Sequence, residues 1–423
     1  HCAVNEIAYK ASGGTLKILH FSDFHYDPLY TEGSNAECEE WICCRGSKVK
    51  SISNTRWGDY RSCDNPSYQV ENLIQEAAKS HNNVDAIYLT GDYSSHFAWD
   101  KTREELEQSI EFITDRINQY FPGVPVFPLL GNHDSYPDNL YSPNYVSDKE
   151  ISTESVYDLI AKHWTDWLTE DAKKSFKSGG YYSSLLKPNL RIIALNNNVC
   201  FASNLWLLLD NFYFKDQLEW LEETLKRSSE LNEKVHILSH VPSNDEHCYK
   251  AWTVEYHKIV ERYSDVISAQ FNGHSHFDEF LVFYANEDPS IALSVAWNGG
   301  SGTNFPNVNS NYKEVVDFET WIFNLTLANS NENKTPSWFK EYNFKSFYNL
   351  TDLSPFQIDS FVKKMKNDNE LLKKYWRFKV KLSDAALSSG CDESCLEVTW
   401  ESLTRSYFDN CLFKKVLWSS TFL

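Results

Sequence analysis

The sequence predicts an α/β fold that carries a helical subdomain at its C-terminal end. Three observations predict it. Short β-rich apolar runs alternate with stretches of helical periodicity between residues 16 and 276. Residues that can bind metal stand at the C-terminal ends of those runs, the edge at which α/β proteins assemble their sites. From about residue 354 the pattern is mostly helical, with Trp376 and Trp400 as packing residues.

Residues 1–15 are polar and contain glycine, and they read as an N-terminal arm. The run 16–21 has strand character and leads to Asp23 and His25. In extended backbone, residues two apart point the same way, so this pair can hold one metal. Residues 31–66 form a long Cys-rich loop, and residues 68–80 place Val70, Leu73, Ile74, Ala77 and Ala78 at helical spacing. The strand 84–90 ends in Gly91 and Asp92, and His96 follows in the loop. An amphipathic helix over 101–120 uses Leu106, Ile110, Ile113 and Ile117. The apolar run 124–130 is a buried strand ending in Gly131, Asn132, His133 and Asp134. One helix is expected over 151–176, with Trp164 and Trp167 in a stripe that faces the core. Strands over 190–195, 235–239 and 266–272 and a helix over 216–227 complete the main body. The second of these strands ends at His240 and the third at Gly273, His274 and His276, while His236 lies inside its strand as a core residue. Residues 285–345 contain Gly- and Asn-rich loops, among them 298–303. The expected organisation is an arm over 1–15, a main domain over 16–345 and a helical subdomain over 346–423.

Bulk properties narrow the function. The 423 residues are 42% hydrophobic and 15% aromatic, enough for a large core and for aromatic surfaces toward lipid or sugar. A formal net charge of −19 repels nucleic-acid backbones, so no nucleic-acid partner is expected. The 13 His titrate in an acidic compartment, where an anionic membrane repels the chain less. No apolar run approaches the roughly 18–20 residues of a membrane span. The ten Cys, at 2, 38, 43, 44, 63, 200, 248, 391, 395 and 411, point to disulfides and an oxidising compartment. Adjacent Cys43 and Cys44 do not match zinc-binding spacing. Sequons at Asn324, Asn333 and Asn349 agree with a secreted or lysosomal protein.

The candidate ligands are Asp23, His25, Asp92, Asn132, His240, His274 and His276. They offer oxygen and imidazole donors without thiolate, a set that suits Zn, Fe or Mn. Seven side chains are too many for one tetrahedral ion and suit two ions that share a carboxylate. Two such ions stabilise both the attacking and the leaving oxygen of a phosphoryl transfer. Any block alone is weak: residues 131–133 read as a turn with a surface histidine, Gly91 and Asp92 as a turn or cap, and His96 as a loop residue. Five blocks in order, each after a β-rich run, point to one site.

These blocks resemble the calcineurin-like metallophosphoesterase superfamily and, within it, the acid sphingomyelinase family. The resemblance runs from about residue 16 to residue 400 and includes Cys38 with Cys43, Cys44 and Arg45, the run 57–60 before Cys63 and Asp64, and Thr90 to Asp92 with His96. It continues through 196–200, 206–208 and 247–252, and its longest stretch is 269–280. It implies a β-sandwich flanked by helices, with 16–345 as the catalytic domain. It implies two Zn2+, one held by Asp23, His25, Asp92 and His276, the other by Asp92, Asn132, His240 and His274. The implied reaction is attack of a metal-bridging hydroxide on sphingomyelin, at a lipid surface, giving ceramide and phosphocholine. His133 and His96 match the family's candidate catalytic histidines, with His133 favoured to protonate near the phosphate and His96 the alternative donor. Nucleotides or other soluble phosphodiesters are the alternative substrates, and a lipid-binding protein without catalysis is a third reading.

The resemblance also implies disulfides Cys38–Cys43, Cys44–Cys63, Cys200–Cys248 and Cys391–Cys395. The family has a further Cys six positions after the last of these, where this chain has Glu401. The two Cys left over predict a Cys2–Cys411 bridge. About 15 residues precede the first expected strand, which leaves no room there for the family's lipid-presenting saposin domain. The loop 297–310 departs from the family pattern and leaves substrate preference open.

Overall fold

The computed structural model describes residues 3–11, 14–48, 54–303, 308–309, 315–331 and 334–405. The chain opens with a hairpin, β1 (Ala3–Ala11) and β2 (Gly14–Phe21). Helix α1 (Ser67–Ser80) then crosses over to β3 (Ala86–Leu89), and α2 (Arg103–Tyr120) crosses to β4 (Val126–Pro128), so that β2, β3 and β4 run parallel. The periodicity explains both helices: α1 buries Val70, Leu73, Ile74 and Ala77, and α2 buries Leu106, Ile110, Ile113 and Ile117. A capping box of Thr102 and Glu105 starts α2.

The expected helix over 151–176 is two helices, α3 (Glu154–His163) and α4 (Glu170–Gly179). The Thr169 side chain accepts from Ala172 N–H and starts the second, a local cap that overrides the continuous apolar stripe. Trp164 is buried in the core, and half-buried Trp167 packs against it.

The second half repeats the parallel logic. A hairpin of β5 (Tyr182–Lys187) and β6 (Leu190–Ala194) leads through α5 (Lys215–Glu230) to β7 (Lys234–Leu238), and through α6 (Lys250–Arg262) to β8 (Ile267–Asn272). There follow β9 (His276–Phe277), β10 (Phe280–Tyr284), β11 (Ala292–Asn298), β12 (Val308–Asn309) and β13 (Val315–Phe323). Short α7 (Leu325–Asn329), β14 (Trp338–Asn343) and α8 (Phe344–Phe347) lead into the helices α9 (Pro355–Lys366), α10 (Asn369–Lys379), α11 (Asp384–Ser389) and α12 (Glu393–Ser402).

Two six-stranded sheets result, ordered β14-β13-β1-β2-β3-β4 and β10-β11-β8-β7-β6-β5. Their inner faces share one core: Tyr88 Oη lies 2.7 Å from His236 Nδ1, and the Tyr88 and Phe271 rings meet at 5.2 Å. His236 is the satisfied core residue expected, held neutral by burial with its pKa near 3. The C-terminal helices close on the second sheet through Phe361, Val362, Met365, Leu372 and Tyr375, and Trp400 Nε1 donates to Val362 O at 3.0 Å.

Residues 3–11 are a strand rather than an arm, because they pair with β2 and β13 and their polar groups find partners inside the fold. Asn5 donates to Thr320 Oγ1 at 3.0 Å and accepts from Gly300 N–H at 3.1 Å, and Glu6 faces His81 Nδ1 at 2.7 Å. The region 285–345, expected to contain Gly- and Asn-rich loops, also holds, among its described residues, β11, β12, β13 and β14, of which β13 pairs with both β1 and β14. The four disulfides implied by the resemblance are present. Cys2, Cys411 and Asn333 lie outside the described residues. Asn324 caps α7, and Asn349 is exposed.

Glu341 in β14 buries both carboxyl oxygens without a hydrogen-bond partner. Burial, and then Asp278 beside it, push its pKa well above the usual carboxylate range. A raised acid stabilises the fold below its unfolded pKa and loses that contribution as pH rises through its folded pKa. Glu341→Gln should therefore melt close to wild type at pH 4.5 and above it at pH 7.5. Scanning calorimetry at both pH values checks this, and an equal shift at the two would refute it.

Candidate metal centre

The loops that follow β2, β3, β4, β7 and β8 converge. Their backbones continue the sheet pairing past the strand ends, with Asp23 N–H on Gly91 O (2.9 Å), His25 N–H on Asp92 O (3.0 Å) and Gly273 N–H on His240 O (2.9 Å). Five of the seven expected ligands adopt left-handed backbone: Asp23, His25, Asp92, His274 and His276. Each such residue costs about 1–3 kcal/mol and persists only where its surroundings enforce it. The spacing argument for Asp23 and His25 is thus corrected. Extended backbone does not align them; two left-handed residues flank Phe24, which is buried in the core.

Asp23, His25, Asp92 and His276 bring donor atoms within 4.8 Å of one another, and so do Asp92, His240 and His274. Asn132 joins the second group, its Oδ1 lying 3.0 Å from His240 Nε2 and 2.7 Å from His274 Nδ1. Asp92 belongs to both, with Oδ2 at 3.5 Å from His25 Nε2 and 3.2 Å from His240 Nε2. Second contacts orient these donors. His25 Nδ1 faces Ser94 O at 3.1 Å, His240 Nδ1 faces Thr90 O at 2.7 Å, and Asn132 Nδ2 donates to Asn139 Oδ1 at 2.9 Å. Asp23 Oδ2 and His276 Nδ1 are buried without a hydrogen bond. A cation ligated there would offset the cost of those atoms, so the donor set fits a two-metal centre.

Two histidines stand at the mouth, each backed by a carboxylate. His133 donates its N–H to Asp92 Oδ1 at 2.9 Å, and its Nδ1 lies 2.9 Å from Asp138 Oδ2. Asp138 pairs with buried Lys101, whose ammonium also donates to His133 O at 2.6 Å. Asp64 accepts His96 N–H and faces His96 Nδ1, both at 2.7 Å. The His96 ring stacks on His25 at 3.6 Å and lies 4.7 Å from His133.

Residues 16–278 match the family model of the calcineurin-like phosphoesterases. The chain belongs to that family. Residues 300–418 match a second model, the acid sphingomyelin phosphodiesterase C-terminal region. The chain is 34% identical over 377 residues to a sphingomyelin phosphodiesterase of Bos taurus, an alignment covering 85% of this chain and 60% of that protein. It is 34% identical over 377 residues to the one of Homo sapiens, covering 85% and 59%. Against sphingomyelin phosphodiesterase A of Dictyostelium discoideum it is 31% identical over 421 residues, covering 95% and 69%. The chain thus spans about three-fifths of the length of the bovine and human relatives it matches.

Protonation in this centre suits metal binding. Burial holds His25 well below the usual histidine range, lowers His276 and takes His274 to about 4, so these imidazoles are neutral donors. His240 is the exception: burial opposes its proton, but Asp92 and Asp23 outweigh burial and raise the pKa. A cation entering here must displace that proton.

The rest of the centre is scaffold. Buried Asp134, raised to about 6 chiefly by burial, accepts Asp92 N–H (2.7 Å) and Gly131 N–H (2.8 Å) on one oxygen and Tyr93 N–H (2.9 Å) on the other. Asn197 Oδ1 accepts both His240 N–H (2.9 Å) and Val241 N–H (3.1 Å). Sequence reasoning assigned no role to Asp64, Asn197, Asp138 or Lys101. Asp64 and Asn197 lie in stretches that carry the family resemblance. Lys101 and Asp138 meet across 37 residues, and no spacing signals the pair.

A Cβ on Gly131 would fall 2.0 Å from Asp92 Oδ1 and 2.3 Å from Asp92 N. Gly131→Ala must therefore displace the shared carboxylate, at an overpacking cost of about 1–3 kcal/mol. The melting temperature should fall, and the dissociation constant for a divalent metal should rise by about tenfold or more. Thermal melts and titration with divalent cations, zinc among them, check both, and wild-type metal affinity in the variant would refute the role given to this contact.

Proposed function

We propose that this phosphoesterase is a zinc-dependent phosphodiesterase that hydrolyses sphingomyelin to ceramide and phosphocholine. The observation that carries the proposal is the pair of donor groups sharing Asp92 Oδ2, with two carboxylate-backed histidines beside it. Asp23, His25, Asp92 and His276 would hold one Zn2+, and Asp92, Asn132, His240 and His274 the other. Bound there, the two cations supply Lewis acidity toward the phosphodiester and a nucleophile drawn from water. The substrate class comes from the sphingomyelin phosphodiesterases to which the chain is similar and from the match of its C-terminal region.

The chain's own residues supply the proton. Ceramide leaves as a primary alcohol, a poor leaving group unless its oxygen is protonated. Asp138 engages His133 Nδ1, so His133 Nε2 is the nitrogen that delivers the proton. Burial opposes the charged imidazole, but Asp138 and Asp92 outweigh it and raise the His133 pKa, which favours the acid form. Lys101, by pairing with Asp138, keeps that carboxylate ionised: burial raises its pKa, and Lys101 and His133 bring it below the usual value. His96, held by Asp64, is the alternative donor. Four disulfides and the absence, among the described residues, of a helix able to cross a membrane agree with a secreted or lysosomal setting.

Metal-replete protein should release phosphocholine from sphingomyelin micelles at pH 5, and His133→Ala should lose roughly 10²–10⁴-fold in kcat. Turnover of ATP or a chromogenic phosphodiester, with none of sphingomyelin, would move the substrate to the soluble class.

The acid role of His133 makes a second prediction. Activity that needs its protonated form falls as pH rises through its pKa. Asp138→Asn removes a carboxylate that raises this pKa, so the alkaline limb of the rate profile should shift to lower pH. An unmoved limb would reassign the proton to His96.

A further inference from the structure

Seventeen large apolar side chains are exposed among the described residues, and ten of them lie on loops that leave the C-terminal ends of β2, β3, β4 and β6. Those ends form the edge that carries the metal-type residues. The densest group is the connection from β6 to α5. Leu205 is 58% exposed, Leu208 82%, Leu209 78% and Phe212 56%. Isolated exposed leucines are ordinary, whereas a cluster of this kind marks an interaction surface.

The base of this knob is built into the centre. Asn204 Nδ2 donates to Tyr141 O at 3.2 Å, and Tyr213 Oη donates to the same oxygen at 2.7 Å, so one residue ties both ends of the connection. The Tyr141 hydroxyl in turn donates to Gly131 O, the residue before Asn132. On the other flank Phe201 packs edge-on against His274, ring centroids 5.0 Å apart. Disulfide Cys200–Cys248 pins that flank. The leucines are thus carried on a fixed pedestal next to the ligands Asn132 and His274.

We infer that this knob inserts into the surface of a zwitterionic phospholipid bilayer and seats the metal centre against it. The inference rests on the phosphodiesterase reading and names how that site meets its substrate. Charge selects the occupant. Residues 199–214 contain one charged side chain, Asp210, whereas the whole chain carries −19. A second copy of so acidic a protein is repelled, and an anionic surface is too, but a bilayer without net charge is not. Exposed Trp99 and Tyr145 stand on neighbouring loops, the residue types that settle at the headgroup level, and Tyr145 Oη reaches Asp210 at 3.3 Å.

The test uses the full metal-replete chain, vesicles of phosphatidylcholine with sphingomyelin, and the double variant Leu208→Glu with Leu209→Glu. Wild type should sediment with the vesicles, and the variant should bind them about tenfold or more weakly. Its melting temperature and its turnover of a soluble chromogenic phosphodiester should match wild type, while hydrolysis in vesicles falls with binding. Equal vesicle binding by both proteins, or none by wild type, overturns the inference. So does a wild-type dimer in light scattering that the variant converts to monomer, since the knob would then cover itself. Vesicle binding lost in the variant while wild type turns over no phosphodiester would uphold the docking surface and sink the enzymatic reading.

Discussion

The carboxylate of Asp92 is the contact on which the rest of the centre depends. Its Oδ2 faces His25 from the first half of the chain and His240 from the second, while its Oδ1 accepts the N–H of His133. One side chain therefore ties together the loops after β2, β3, β4 and β7. The fold makes room for it by withholding side chains around it. A Cβ on Gly91 would meet Gly131 N at 2.3 Å, and one on Gly131 would meet Asp92 itself. Gly91 also adopts φ +94, where any other residue is strained. The glycines that precede Asp92 and Asn132 are thus contact points between the two loops as well as turn residues.

Such a centre is expensive to fold. It gathers buried carboxylates and imidazoles and holds five residues in left-handed backbone. The cost is offset outside the ligand set. Asp134 accepts backbone N–H groups from both glycine loops, Asn197 does the same for His240 and Val241, and Thr90 O orients the His240 ring. Beneath them the two sheets share a core of Tyr88, His236 and Phe271. The expected ligands sit on loops, but the loops are paired to one another by backbone hydrogen bonds like short extensions of the sheets.

Legibility followed the physical range of each signal. Helices such as α1 and α2 were visible because their apolar stripes are local and continuous. The parallel strands were visible because they are apolar runs that stop at Gly, Asp, Asn or His. The seven expected ligands were likewise legible as residue types at strand ends, and the structure gathers them. What stayed hidden was non-local. Strand β1 interleaves Asn5, Glu6 and Lys10 with apolar residues, and beyond its hairpin with β2 it is held by β13 and by Thr320, Gly300 and His81, far along the chain. Lys101 and Asp138 carry no signature until the fold brings them to His133. The left-handed backbone of the expected ligands is equally invisible, since it is imposed by hydrogen bonds to other loops.

The same edge of the sandwich carries both the most buried and the most exposed chemistry of the molecule. Asp23, His25 and His240 are sealed from water, while Leu208 and Leu209 of the neighbouring connection stand out in it. Tyr141 joins the two regimes, because the atoms that brace the knob and the atom that braces Gly131 belong to one residue. A load on the knob is therefore borne by the loop that presents Asn132. If the knob enters a lipid surface, its base and the loop of the second donor group are braced by one residue, the first through the Tyr141 backbone carbonyl and the second through its hydroxyl. His133, at 15% side-chain exposure, and His96, at 12%, then stand on the edge that faces the headgroup layer.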